Sequence, residues 1–121
     1  MKLNDVKLVG NLTKDPEVRY TPQGTPVATI SLGVNEIIPG EEKKQVTSFI
    51  DCQVWGAAAE NLSKLVKKGQ EIFVDGSLRQ ERWEDKEQVK HNRVYVRANN
   101  WQFTQIKGKE IKARTEESVT R

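Results

Sequence analysis

The segment Val46 to Trp55 constrains the fold more than any other part of the chain. Its even positions read Val46, Ser48, Ile50, Cys52 and Val54; its odd positions read Thr47, Phe49, Asp51, Gln53 and Trp55. A β-strand sends alternate side chains to opposite faces, so the aliphatic set belongs in a core and Phe49 and Trp55 fall on the polar face. A helix would scatter both sets around its circumference. The chain is therefore expected to be built on strands with one wet face, and that wet face carries aromatic rings.

The remaining segments extend the pattern. Asp5 to Thr13 alternates through Val6 and Leu8 before Gly10, which permits a bend or bulge. Asp15-Pro16 and Thr21-Pro22-Gln23-Gly24 are turn chemistry around the short apolar piece Val18-Arg19-Tyr20. Val27 to Val34 places Ala28, Ile30, Leu32 and Val34 on one parity, and Ile37 to Lys44, with Pro39-Gly40 and a charged run, reads as a hairpin tip. Ala57 to Lys68 reads as a helix, with Ala58, Leu62, Leu65 and Val66 on one stripe and Lys67-Lys68 at its negative end before Gly69. Glu71 to about Trp83 is a fourth strand, where Gly76 suggests a bulge. A second exposed tip spans Trp83 to Gln88. Val89 to Ala98 forms a fifth strand, continued by Trp101 to Ile106 after a break at Asn99-Asn100.

Three strands, a helix and two strands in about 105 residues is the order of an all-β OB-fold, a five-stranded Greek-key barrel with one α-helix between strands 3 and 4. A length of 121 residues with 36% hydrophobic side chains suits one small barrel. Residues 1–106 are expected to form that domain. Residues 107–121, whose only sizeable apolar side chains are Ile111 and Val119, read as a disordered polar C-terminal tail. No apolar run reaches about 18 residues and the start lacks a secretory h-region, so a cytoplasmic chain is expected. Cys52, the only cysteine, fits a reducing compartment and reads as a small buried hydrophobe.

Catalytic constellations are missing from the sequence. The single histidine, His91, cannot build a multi-histidine metal site, and Cys52 has no partner at metal-ligand spacing. Glu84, Asp85 and Glu87 sit on a tip where solvent is expected to keep carboxylates near their ordinary values. No glycine-rich phosphate cradle is present. The reading is a chain that is not an enzyme and uses no cofactor and no metal.

What remains is the aromatic parity. If Gly76 does not reset the count, Phe73, Asp75, Ser77, Arg79, Glu81 and Trp83 point outward, and Trp83 joins Phe49 and Trp55 on the exposed sheet. Unpaired bases stack on such rings for roughly 1–3 kcal/mol each, whatever their sequence, whereas a duplex hides its base faces. Exposed aromatics also mark protein contacts, so parity alone fits either a nucleic-acid surface or a subunit interface. Lys43, Lys44, Lys67, Lys68, Arg79, Arg82, Lys86, Lys90, Arg93 and Arg97 could supply a phosphate track, while Asp51 and Glu81 share the aromatic parity and should weaken its field. The net charge of +3 decides little. Trp101 and Tyr20 are assigned to packing, and Tyr95 stays open.

These residues resemble the bacterial-type homotetrameric single-stranded DNA-binding proteins. The matching stretches are Leu8-Val9-Gly10-Asn11-Leu12 with Asp15-Pro16-Glu17-Val18-Arg19-Tyr20, Gly24-Thr25-Pro26-Val27-Ala28, Trp55-Gly56 with Ala59-Glu60 and Leu65-Val66-Lys67-Lys68-Gly69, then Val74-Asp75-Gly76-Ser77-Leu78-Arg79 with Arg82-Trp83. The resemblance implies that Phe49, Trp55 and Trp83 stack bases and that Lys43, Lys68, Arg79 and Arg82 contact phosphates. It further implies a homotetramer that coats single-stranded DNA in replication, recombination and repair, in the cytoplasm and associated with the nucleoid, with no membrane partner. Three departures stand out. Ile38 occupies a place where many members carry tryptophan. Asp51, Ala57 and Glu81 replace basic residues, which predicts a shallow salt dependence. The tail Glu116-Glu117-Ser118-Val119-Thr120-Arg121 lacks the acidic, Phe-terminated tip through which the family recruits replication and repair proteins. The alternatives are an OB-fold interaction subunit, primosome-like or organelle-type, with weak DNA binding, and an RNA chaperone on the same barrel.

Overall fold

The alternating segments do form strands, and the strands close on one another. The structure, a computed structural model, describes residues 1–40, 44–106 and 109–110. In chain order the elements are β1 (Val6–Leu12), β2 (Glu17–Tyr20), β3 (Pro26–Ile38), β4 (Lys44–Trp55), α1 (Ala57–Leu65), β5 (Glu71–Glu84), β6 (Lys90–Phe103), β7 (Gln105–Ile106) and β8 (Lys109–Glu110). The large sheet runs β1-β5-β6-β4-β3-β2, and β1 also pairs with β3 through Asn11↔Gly33 and Leu12↔Leu32. That second pairing turns five strands into a closed barrel, with α1 between its third and fourth strands. All ladders of the large sheet are antiparallel except β4 with β6, which join in parallel over Cys52–Val54 and Val96–Ala98.

The core is what the parity requires. Ala28, Ile30 and Leu32 from β3, Cys52 and Val54 from β4, Ile72 and Val74 from β5, and Val96 and Ala98 from β6 are buried, with Ala59, Leu62 and Val66 closing over them. Apolar burial of this kind is the main term holding a small barrel together. Burial pushes the Cys52 thiol up to about 12, with the charge of Asp51 adding to the effect. Trp101 packs edge-on against Phe103 and donates its indole N–H to the Ala58 carbonyl at 3.0 Å, as its packing assignment expects. No helix among the described residues is long and apolar enough to cross a membrane.

Several boundaries differ from the sequence expectation. The helix ends at Leu65, because Val66 turns extended (φ −109°, ψ 134°) and buries its side chain, leaving Lys67 and Lys68 outside it. Leu65 is accordingly exposed and Ala59 takes the buried place on the stripe. β3 runs on to Ile38, pairing Ile37 with Gln45 and Ile38 with Lys44, so the first tip begins only at Pro39. The bulge lies opposite Gly76 rather than on it. Asp75 faces Asn100 and Gly76 faces Ala98, which makes Asn99 of β6 the extra residue. β5 therefore keeps its parity. Tyr20, expected to pack, is 63% exposed on the short edge strand β2. Gln105–Ile106 pairs with Lys109–Glu110; the rest of the tail expected to be disordered lies outside the described residues.

Candidate nucleic-acid interface

Strand register assembles the outward face. Gln53 of β4 lies beside Arg97 of β6, and Arg97 faces Ser77 of β5. Further along the β5–β6 hairpin, Arg79 faces Tyr95, Glu81 faces Arg93 and Trp83 faces His91. On β4 the same parity carries Trp55, Asp51 and Phe49. Phe49 is 69% exposed, and its partner on β3 is Gly33, which has no side chain to shade the ring.

The polar groups around these rings are largely engaged. The Arg97 guanidinium sits 4.5 Å from the centroid of Trp55, and that of Arg93 lies 5.2 Å from Tyr95. Both are cation–π distances. Arg93 Nε donates to Glu81 at 2.9 Å, and its Nη1 is 4.0 Å from Asp51. Trp55 is half-buried, and its indole N–H is buried without a hydrogen-bond partner among the described residues. Trp83 is 45% exposed and stacks on His91, with centroids 5.3 Å apart and planes at 20°. His91 Nε2 lies 2.8 Å from Asp85 Oδ2, while Asp85 Oδ1 accepts the N–H groups of Glu87 and Val89. These bonds, His91 first, hold the Asp85 carboxyl below its ordinary value. The sequence expectation that solvent leaves every carboxylate of this tip unperturbed is corrected accordingly: the tip folds back on Asp85.

The expected site residues thus fall into three groups. Phe49, Trp55, Trp83 and Arg79 share one face. Arg82, on the opposite parity and bonded to Gln80 at 2.8 Å, borders a shallow groove of about 380 Å³ together with Trp83, Glu84, Lys90, His91 and Asn92. Lys68 is not gathered with them; it lies past the far end of α1 from Trp55, its backbone N–H donating to Asp15 at 2.8 Å. Lys43 lies outside the described residues. His91 and Tyr95 were not foreseen on this face, and Arg93 and Arg97 were counted only as scattered cations. The aliphatic run Val94, Val96 and Ala98 on β6 was the available signal, because it sends 91, 93, 95 and 97 outward. No group of three or more metal-ligating side chains occurs among the described residues.

The model of the Single-strand binding protein family matches residues 3–104. Single-stranded DNA-binding protein 2 of Listeria monocytogenes serovar 1/2a is 38% identical over 113 residues, covering 93% of this chain and 71% of the relative. Single-stranded DNA-binding protein A of Bacillus subtilis (strain 168) is 41% identical over 105 residues, covering 87% of this chain and 61% of the relative. A crystal structure of a deletion mutant of the single-stranded DNA binding protein from Thermus aquaticus is similar with a TM-score of 0.77 at 33% identity, over 88% of this chain and 53% of that one. The chain thus spans between 53% and 71% of the length of these three proteins.

Proposed function

The chain belongs to the single-strand binding protein family, and from that premise we propose that it binds and coats single-stranded DNA without sequence preference during replication, recombination and repair. The observation that carries the proposal is the shared face of Phe49, Trp55 and Trp83, with Phe49 69% and Trp83 45% exposed. Unpaired bases lie flat against such rings, and every base has a face to offer. Arg79 and Arg82, Lys68 where the strand continues past the face, and Lys43 would take phosphates. The work is binding rather than catalysis. A homotetramer is the assembly proposed, acting in the cytoplasm on the nucleoid.

Titration with oligo(dT) tests the proposal. Tryptophan emission should fall as Trp55 and Trp83 stack, and Phe49→Ala, Trp55→Ala and Trp83→Ala should each weaken binding with circular dichroism unchanged. Unaltered emission without binding at low salt would refute it. Sedimentation with and without the oligomer reports assembly and binding together. The interaction-subunit reading draws no support from the relatives reported above. Competition with RNA of equal length separates the RNA-chaperone reading.

A further inference from the structure

The β5–β6 hairpin carries its rings as a pair. Trp83 and His91 are directly opposed in the ladder, and opposed side chains on one face approach closely enough for flat rings to stack or to splay apart. Here they stack, and the imidazole is tied at Nε2 to Asp85. Asp85 is itself fixed by the Glu87 and Val89 N–H groups and by a turn closed through Asp85 N–H to the Val89 carbonyl at 3.0 Å. Carboxylate, imidazole and indole are thus one connected unit, on an arm whose residues from Leu78 to Glu84 are all exposed. No buried packing is present there to hold an indole still. The imidazole covers one face of Trp83. Trp83 keeps 45% of its surface exposed.

We propose that His91 is a positioning residue of the single-strand interface: it backs Trp83 so that the indole presents one fixed face, on which a single unpaired base completes a three-layer stack. This rests on the reading of the face as a DNA-binding surface. Asp85 acts through His91 by holding its ring. The benefit is preorganisation, since a side chain that must be ordered on binding costs about 2- to 12-fold in affinity.

The test is anisotropy of a labelled dT oligomer at fixed salt with the full chain, His91→Ala, His91→Phe, Trp83→Ala and the double variant Trp83→Ala/His91→Ala. His91→Ala should weaken binding about 3- to 10-fold, whereas His91→Phe, which restores a ring behind Trp83, should recover most of the loss. In the Trp83→Ala background, removing His91 should cost nothing further. Wild-type affinity in His91→Ala, no recovery in His91→Phe, or an equal loss with and without Trp83 would each overturn the positioning role while leaving the interface reading intact. Absence of binding by the unaltered protein would overturn the interface reading and this inference with it.

Discussion

Gly76→Ala places one methyl group where this barrel has least room for it. A Cβ at that position would overlap the Arg97 carbonyl oxygen and stand 2.8 Å from both the Arg97 carbonyl carbon and Ala98 Cα. Carbon atoms rest comfortably at roughly 3.5–4.0 Å, so the two strands must part by about 1 Å. Every atom in the way is backbone, so no rotamer relieves the clash. Neither strand is free to yield, because Gly76 is also paired with Val6 of β1, and Val96–Ala98 is paired with β4. Overpacking costs about 1–3 kcal/mol, and losing one or two ladder hydrogen bonds adds about 0.5–1.5 kcal/mol each. The unfolded-state benefit of replacing glycine returns less than about 1 kcal/mol, leaving a net loss of about 2–4 kcal/mol. Urea unfolding followed by circular dichroism, at one chain concentration for all variants, should show a midpoint lower by about 1–2 M. Gly24→Ala is the control: its φ of 89° strains any side chain, but nothing lies within 4 Å, so it should cost only about 1–2 kcal/mol. A Gly76→Ala protein within about 0.5 kcal/mol of wild type would refute the reasoning.

Further perturbations separate charge, acid response and packing. Glu81→Gln should release Arg93 from its 2.9 Å partner, tighten oligo(dT) binding and steepen the salt dependence by up to about 0.7 in log–log slope; an unchanged slope would mean Arg93 reaches no phosphate. The Asp85 carboxyl is held below its ordinary value of 3.8 by His91 and then by the Val89 N–H, so its contribution to the tip is present above that value and is lost as pH falls through the lower folded one. Amide exchange at Glu87 and Val89, normalised for intrinsic rates, should show this acid step, and Asp85→Asn should abolish it. Leu62→Ala, at a fully buried position, should cost about 2–5 kcal/mol by urea unfolding, whereas Leu65→Ala, three residues along the same helix but exposed, should stay within about 0.5 kcal/mol.

The barrel was legible because period-2 alternation and burial are the same fact wherever a strand has one face inside. Ile30, Leu32, Cys52 and Val54 obey it without exception. It stops being true where the hairpins outrun the core: Val46, Leu78 and Val94 keep the inward parity but are exposed, since the barrel has nothing left to bury them against. Helix periodicity misjudged Leu65 for a related reason. Val66 leaves the helix to reach the core, so the stripe ends before the charged residues that appeared to cap it. The placement of the bulge was beyond local reasoning, because only the pairing of β5 with β6 decides which strand carries the extra residue. The outward placement of the candidate residues on β4 and β5 could be read because each strand holds an aliphatic parity to count from. His91 and Tyr95 were passed over although β6 offers the same count.

At the proposed interface, charge and stacking would divide the work unequally. Arg93 is committed to Glu81 and lies near Asp51, Arg97 rests on Trp55, and Arg82 is bonded to Gln80. Exposed ion pairs are worth about 0–1 kcal/mol, so a phosphate can draw Arg93 away from Glu81 and Asp51, but that exchange leaves two carboxylates beside the polyanion and cancels part of the gain. Counterion release then contributes little, and a nearly neutral face makes a poor electrostatic track. Stacking on Phe49 and Trp83, at roughly 1–3 kcal/mol for each ring, would carry no such offset, because a base and a ring exchange water for each other without a charge being stranded, whereas a base on Trp55 would have to move the Arg97 guanidinium aside. The β5–β6 arm extends past the core to present Trp83 with an imidazole behind it, while Phe49 stands opposite glycine. A binder built as proposed would hold its strand by the faces of the bases, and moderate salt should loosen it far less than it would a lysine-lined groove.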